Sequence, residues 1–416
     1  MAPLTFEIKA RSIDSEARLG RVTTGHGAFD TPAFMPVGTQ ATVKGLTPAQ
    51  VRAGGAQIVL ANTYHLMLRP GSELIAQMGG LHEWMCWSGP ILTDSGGYQV
   101  FSLADILNIG DHSIQFRSHL DGATVELSPL RAMEVQNQLG ADIIMALDDC
   151  PPPARVAPHH QKRIASHHRD QIFDTSVSGS VNDKNIVESP QYVPPDPAHK
   201  ARVAAAAERT LRWLDLCVKA HGRPDEQALF GIVQGGTDLQ RRSWCAERVI
   251  QHDLPGYAIG GVAVGESQDL IASVVAHTAR LLPPERPRYL MGVGYEQDIL
   301  AAVRSGVDMF DCVLPTRNGR NGNAFTRSGQ IRLRNAKFSH DGSVIEPDCD
   351  CGACARGFSR SYLRHLLLAR EMLGPILISI HNLHHFHRYL LDIRRAIEHN
   401  DWSLITRAWP VTIQGT

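Results

Sequence analysis

Asp142-Ile143-Ile144-Met145-Ala146-Leu147 is one apolar stretch that stops at Asp148-Asp149. Its apolar residues are continuous rather than alternating, the pattern of a parallel strand buried on both faces. The same shape recurs on either side. Upstream lie residues 31–37, residues 56–61 ending at Asn62, and residues 90–93 ending at Asp94. Downstream lie residues 228–233 ending at Gln234, 257–259 ending at Gly260-Gly261, 287–291 ending at Gly292, and 307–310 ending at Asp311. Helical patterns fill most of the gaps, for example 129–139, 200–220, 238–251 and 266–282. Eight such units predict an α/β chain folded as a (β/α)₈ TIM barrel. An open, doubly wound sheet is the competing arrangement.

Working outward, residues 5–11 and 17–23 read as a hairpin that caps the barrel. The predicted division is a hairpin over 1–30, a catalytic barrel over 31–316, and a metal-binding subdomain with a closing helix near 383–399 over 317–416. One segment breaks the rhythm. Residues 154–200 carry His159-His160 and His167-His168, a polar run over 176–185, and Pro190, Pro194, Pro195 and Pro197. This reads as a long insertion, partly without regular structure and mobile. The paired histidines read as exposed and idle, with metal binding as the alternative.

Composition is that of a globular protein, with 43% hydrophobic and 20% charged residues and a net charge of −1. No stretch approaches the ~20 apolar residues of a membrane span. The N-terminus shows no basic, apolar signal pattern, so a cytoplasmic location is expected. Charge is uneven: residues 317–370 hold ten Arg and Lys against four acids. Beside a metal module, contact with phosphates explains this better than a solvated surface.

The strand ends hold Asn62, Asp94, Asp148, Asp149, Gln234 and Asp311. Strand ends of a barrel converge on one face. Capping of a following helix is the competing role for any single aspartate, but several converging on one mouth make a site. Carboxylates suit chemistry at a sugar anomeric carbon, one attacking while another moves protons. Crowding opposes joint ionisation, so one pKa should rise, which suits an acid/base. Carboxylates and an amide can also read the donor and acceptor edge of a guanine, although spacing alone does not name that ligand.

Of eight cysteines, Cys349, Cys351 and Cys354 form a tight C-x-C-x-x-C cluster. With one imidazole they would make a closed tetrahedral zinc site, which is structural rather than catalytic. A barrel hydrolase with catalytic zinc would need an open position that this set does not leave. His381, His384, His385 and His387 all follow, and spacing does not choose among them.

Taken together, several motifs resemble the tRNA-guanine transglycosylases. They are Thr93-Asp94-Ser95-Gly96-Gly97-Tyr98-Gln99-Val100-Phe101-Ser102, Phe34-Met35-Pro36-Val37-Gly38-Thr39-Gln40, Asn62-Thr63-Tyr64-His65-Leu66, Phe230-Gly231-Ile232-Val233-Gln234-Gly235-Gly236 and Asp311-Cys312-Val313-Leu314-Pro315-Thr316-Arg317. The likeness spans nearly the whole chain and fails only in the insertion. It implies Asp311 as the nucleophile on C1′ of the wobble guanosine and Asp94 as the acid/base. Asp148, Gln234 and the Gly261 amide would contact the guanine edge, with Tyr98 and Met291 on either side of the ring. Simple core packing is the rival reading for those two. Cys349, Cys351, Cys354 and His381 would hold one structural Zn²⁺ per subunit, the pattern Ile380-His381-Asn382 selecting the histidine. Arg317 and Arg320 would bind RNA. The base would be flipped out of the anticodon loop, and no ATP site is expected.

The resemblance also implies a subtype. Val264 stands where the eukaryotic enzyme has a glycine that admits queuine, and Cys150 and Tyr98 look bacterial. The archaeal type carries further C-terminal RNA-binding domains, which this sequence does not show after its metal module. The implied base is 7-aminomethyl-7-deazaguanine, the implied tRNAs have GUN anticodons, and the implied assembly is a homodimer. A non-catalytic tRNA-binding subunit is the alternative, disfavoured because Asp94, Asp148 and Asp311 are all present.

Overall fold

The architecture is that of a computed structural model, described over residues 2–151, 196–263 and 266–413. Strands β1 (Leu4–Arg11), β2 (Arg18–Thr24) and β3 (Gly27–Thr31) form an antiparallel sheet ahead of the barrel. The expected hairpin therefore has a third strand. Gly27 supplies the positive φ for the turn after β2, and Phe29 then pairs with Val22, both wholly buried. The Gly25-His26-Gly27 turn followed by Pro32 hides this short strand in the sequence.

Eight parallel strands close the barrel. They are β4 (Ala33–Gly38), β5 (Val59–Ala61) and β6 (Ile91–Thr93), and then, after an excursion, β10 (Ile143–Met145), β11 (Ala228–Val233), β12 (Gly256–Ile259), β13 (Arg288–Leu290) and β14 (Met309–Cys312). Closure is direct: Met309, Phe310, Asp311 and Cys312 of β14 pair with Ala33, Phe34, Met35 and Pro36 of β4. That pairing rules out the open sheet. The excursion is a three-stranded antiparallel sheet of β7 (Asp105–Ile109), β8 (Ile114–Arg117) and β9 (Thr124–Leu127), which the sequence reading did not anticipate.

Alternate residues of the barrel strands face inward, where Met35, Leu60, Leu92, Ile143, Met145, Phe230, Ile232, Tyr289 and Met309 fill the interior. Leu4, Val22 and Phe29 of the N-terminal sheet join the same cluster, so that sheet plugs one end. A buried pair anchors it, Arg18 Nε donating to Asp308 Oδ1 at 2.9 Å. Losing one partner of such a pair costs about 3–5 kcal/mol. The opposite faces of the strands pack on the helices in a second, larger core.

Local signals set the helix ends. Ser128 caps Pro129–Leu139 by accepting from Arg131 N, and Gly140 ends it in the left-handed region. Asp196 caps Pro197–Ala220, which therefore begins before the expected residue 200. The closing helix is longer than expected, Leu373–Glu398. Its Gly374-Pro375 falls in the first turn, where proline sacrifices no intrahelical bond. Most of the 154–200 insertion, with its paired histidines, lies outside the described residues. Among the described residues, no helix is long and apolar enough to cross a membrane.

Candidate active site and metal centre

The strand register brings the polar strand ends together. Ala61 pairs with Thr93, so Asn62 and Asp94 emerge side by side. Asn62 occupies the N-cap position of helix Thr63–Leu68 but makes no capping bond with its side chain. Instead its amide donates to Asp94 Oδ2, while Thr63 N donates to Asp94 Oδ1 at 2.8 Å and Gly96 N does so at 3.2 Å. Burial raises the Asp94 pKa to about 6 against the pull of these donors, and the nearby Asp311 charge pushes the same way.

Asp148 follows β10. Its Oδ2 accepts from Gln234 Nε2 at 2.7 Å and its Oδ1 from Ser95 Oγ at 3.3 Å. Burial raises its pKa to about 6 against the Gln234 bond, with the Asp149 charge adding to the rise. Asp149 itself turns away from this group. It is buried between Arg202 and Arg209, at 2.8 Å and 2.6 Å from its Oδ2, and its amide donates to Thr210. Asp149 thus fastens helix Pro197–Ala220 to the strand end.

Asp311 is on β14. Its Oδ1 accepts from the Tyr289 hydroxyl at 2.6 Å and from Gly292 N at 2.8 Å. Among the described residues no hydrogen bond reaches Oδ2. Burial raises the Asp311 pKa against both donors. Burial and the Asp311 charge keep the Tyr289 phenol protonated, well above its ordinary range.

The remaining candidates line the same mouth. Gly96 takes a positive φ, and Gly97 comes so close to the Asp148 carbonyl that a Cβ there would stand 2.9 Å from it. These two glycines start helix Gly97–Leu103, which carries Tyr98. Tyr98 is 43% exposed, which simple core packing does not explain. Met291 is half-buried against the inner core, beside Tyr289. Gly261 has φ +63, and a Cβ there would lie 2.2 Å from Gln234 Oε1. Arg317 and Arg320 sit on helix Leu314–Arg320, directly after Asp311. Burial and the Arg317 charge depress Arg320, and Lys44 is depressed by burial and by Arg320, so three cations share this flank.

The metal centre lies beyond that helix. Sγ of Cys349, Cys351 and Cys354 stand 3.6, 3.6 and 3.4 Å from His381 Nδ1. Tetrahedral zinc with Zn–S near 2.3 Å and Zn–N near 2.05 Å separates sulfur from nitrogen by about 3.6 Å. The four residues therefore fit a metal ion. His381 Nε2 donates to Phe325 O at 2.7 Å, which leaves the Nδ1 lone pair for the ion. The other histidines are engaged elsewhere: His384 with Asp350, His385 with Glu296, and His387 edge-on to the Phe34 ring. All eight cysteines are free of disulfides. The module reaches back to the mouth through Asn382, which donates to Pro315 O and Asn323 O at 2.9 and 3.0 Å.

Residues 14–169 and 184–410 match the family described as queuine tRNA-ribosyltransferase. The chain belongs to the queuine tRNA-ribosyltransferase family. It is thus an enzyme of the pentosyltransferase class. Several relatives bear the name queuine tRNA-ribosyltransferase. The one from Symbiobacterium thermophilum is 49% identical over 394 residues, covering 94% of this chain and 87% of its own length. A Thermus thermophilus relative is 47% identical, with 95% and 91% covered, and the Synechococcus elongatus relative 46%, with 94% and 91%. The family match is interrupted only over 170–183, a narrower gap than the expected 154–200.

Sequence reading missed Tyr289 and Gly292, the two donors on Asp311. The strand containing Tyr289 was legible, but whether its phenol pointed inward to the core or upward to a carboxylate was not. Thr63 and Ser95 fall within the motifs above, but their contacts to Asp94 and Asp148 depend on the fold.

Proposed function

We propose that this transglycosylase exchanges the wobble guanine of GUN-anticodon tRNAs (Asp, Asn, His and Tyr) for 7-aminomethyl-7-deazaguanine, through a covalent aspartyl-RNA intermediate in queuosine biosynthesis. The observation that carries this reading is the asymmetry of Asp311. One oxygen is held by a phenol and an amide, while Oδ2 takes no bond among the described residues. Oδ2 attacks C1′, the C1′–N9 bond breaks, and its electron pair leaves with guanine. Asp94, protonated near pH 6 and below, supplies the proton to the departing base. Ionised, it takes the N9 proton of the incoming base, whose N9 then attacks C1′ and expels the Asp311 carboxylate. One glycosidic bond is lost and one made, so no ATP is consumed.

In this reading Asp148 accepts from the N1–H and 2-amino groups. Gln234 has a second amide N–H beyond the one on Asp148, and with the Gly261 amide it donates to O6. Tyr98 and Met291 flank the ring. Arg317 and Arg320, with Lys44 beside them, hold anticodon-loop phosphates. The Cys349, Cys351, Cys354 and His381 centre takes one Zn²⁺ per subunit, which when bound supplies a structural cross-link. The barrel, over 31–316, then does the chemistry, and 317–416 holds RNA. Val264 lies outside the described residues, so the choice of prequeuosine base over queuine rests on sequence. The cytoplasm is the expected location. A homodimer is the expected assembly, and the exposed apolar side chains of Leu368, Met372 and Leu373, close in sequence, are in keeping with it.

The test is exchange of radiolabelled guanine into an unmodified GUN-anticodon tRNA, with and without the prequeuosine base. Exchange that this base blocks is expected. Tight tRNA binding without exchange would favour the non-catalytic subunit.

A further inference from the structure

Arg242, on helix Leu239–Val249, is wholly buried. Its guanidinium donates to main-chain carbonyls of two different loops. Nε reaches Gly236 O at 2.6 Å, in the loop after β11 that carries Gln234. Nη2 reaches Gly260 O at 2.9 Å and Gly261 O at 3.2 Å, in the loop after β12. Nη1 makes a longer bond of 3.4 Å to Val233 O, directly before Gln234.

We propose that Arg242 is a positioning residue for base recognition, setting the peptide orientation of the Gly261 amide and the spacing between Gln234 and Gly261. This rests on the reading of Gln234 and Gly261 as base contacts. The argument begins with peptide planarity. The C=O of Gly260 and the N–H of Gly261 belong to one trans peptide unit and point in opposite directions. Holding the Gly260 oxygen on Arg242 therefore turns the Gly261 N–H to the side away from the guanidinium. Glycine on both sides of that unit leaves it few steric restraints, and Gly261 already stands at φ +63. Without the guanidinium this peptide has no equally strong reason to keep one face up.

The residue type fits this task. Burial lowers the Arg242 pKa to about 10, so the cation persists at neutral pH despite the cost of desolvation. A planar fork of N–H groups can hold carbonyls on two loops at once, which the single nitrogen of lysine cannot match. The loop also closes tightly on the side chain. A Cβ on Gly235 would stand 2.8 Å from Arg242 Cγ.

The experiment is steady-state exchange of labelled guanine into unmodified tRNA, varying guanine and tRNA separately, for Arg242→Lys, Arg242→Gln and Gln234→Ala. Melting temperature is measured on each. The expected result is a rise of about tenfold or more in KM for guanine in both Arg242 variants, with KM for tRNA within about twofold. A folded Arg242→Lys protein with unchanged KM for guanine, whatever its kcat or melting temperature, overturns the proposal while Gln234→Ala still raises that KM. Failure of both Arg242 variants to fold also overturns it, because the residue is then structural. An unchanged KM for guanine in Gln234→Ala sinks the base-contact reading itself.

Discussion

The Tyr289 hydroxyl lies 2.6 Å from Asp311 Oδ1, across adjacent strands β13 and β14. The phenol therefore fixes one carboxylate oxygen, while the other takes no hydrogen bond among the described residues. Tyr289→Phe keeps the packing and removes the bond. A hydrogen bond to a charged group contributes about 1.5–3 kcal/mol. The kcat for guanine exchange should fall about tenfold to a hundredfold, with KM for guanine little changed. An unaltered kcat would show that Gly292 N alone holds the carboxylate.

Asp311→Asn should abolish the covalent tRNA adduct on denaturing gels and reduce exchange by about a thousandfold or more. The amide nitrogen or oxygen cannot replace the carboxylate as nucleophile and leaving group. A persisting adduct would move the nucleophile to another residue.

Asp94 carries a pH signature. Its pKa in the fold is about 6, above the usual carboxylate range. The folded state thus holds a proton that the unfolded chain releases, and stability falls as pH rises from about 4 to 6. Asp94→Asn removes that penalty, which is on the order of 2–3 kcal/mol. The variant should melt higher than the parent at pH 7.5, and the gain should vanish near pH 4. Exchange by the parent should fall as pH rises through about 6, as Asp94 loses the proton that it gives to the departing guanine. A parent profile flat from pH 5 to 8 would remove Asp94 from the proton transfer.

Cys351→Ser should lose zinc and stability together, since an ion held by the four residues would cross-link residues 349–354 to helix Leu373–Glu398. Metal analysis and thermal melting check this. A zinc-free variant as stable as the parent would leave the centre without a structural role.

Gly261→Ala should raise KM for the base by about tenfold or more. The new methyl meets Gln234 Oε1 at 2.2 Å at an already positive φ. Equal KM in the two proteins would mean that neither residue touches the base.

The exposed apolar side chains of Leu368, Met372 and Leu373 bear on assembly. Light scattering on the intact protein separates a homodimer from a monomer, and charge substitution at Met372 should favour the monomer.

Sequence by itself determined the eight parallel strands, because burial on both faces leaves continuous apolar runs, and all eight of the predicted runs became strands. It also located the polar strand ends and the C-x-C-x-x-C cluster, whose chemistry is local to a few residues. It did not show β3 or the β7–β9 sheet, whose strands of four or five residues are too short for an alternating pattern to stand out.

Tertiary structure decided the rest. Only closure of β14 on β4 excluded an open sheet, because both arrangements bury the same kind of strand. Only the orientation of four nearby histidines left His381 facing the sulfurs, since helical spacing brings several within reach. Only register across strands gave Asp311 its phenol, Asp94 its Asn62 and Arg242 its two loops. Most of those partners are separated by 18 residues or more, and a side chain's direction at a strand end depends on neighbours that no local pattern encodes.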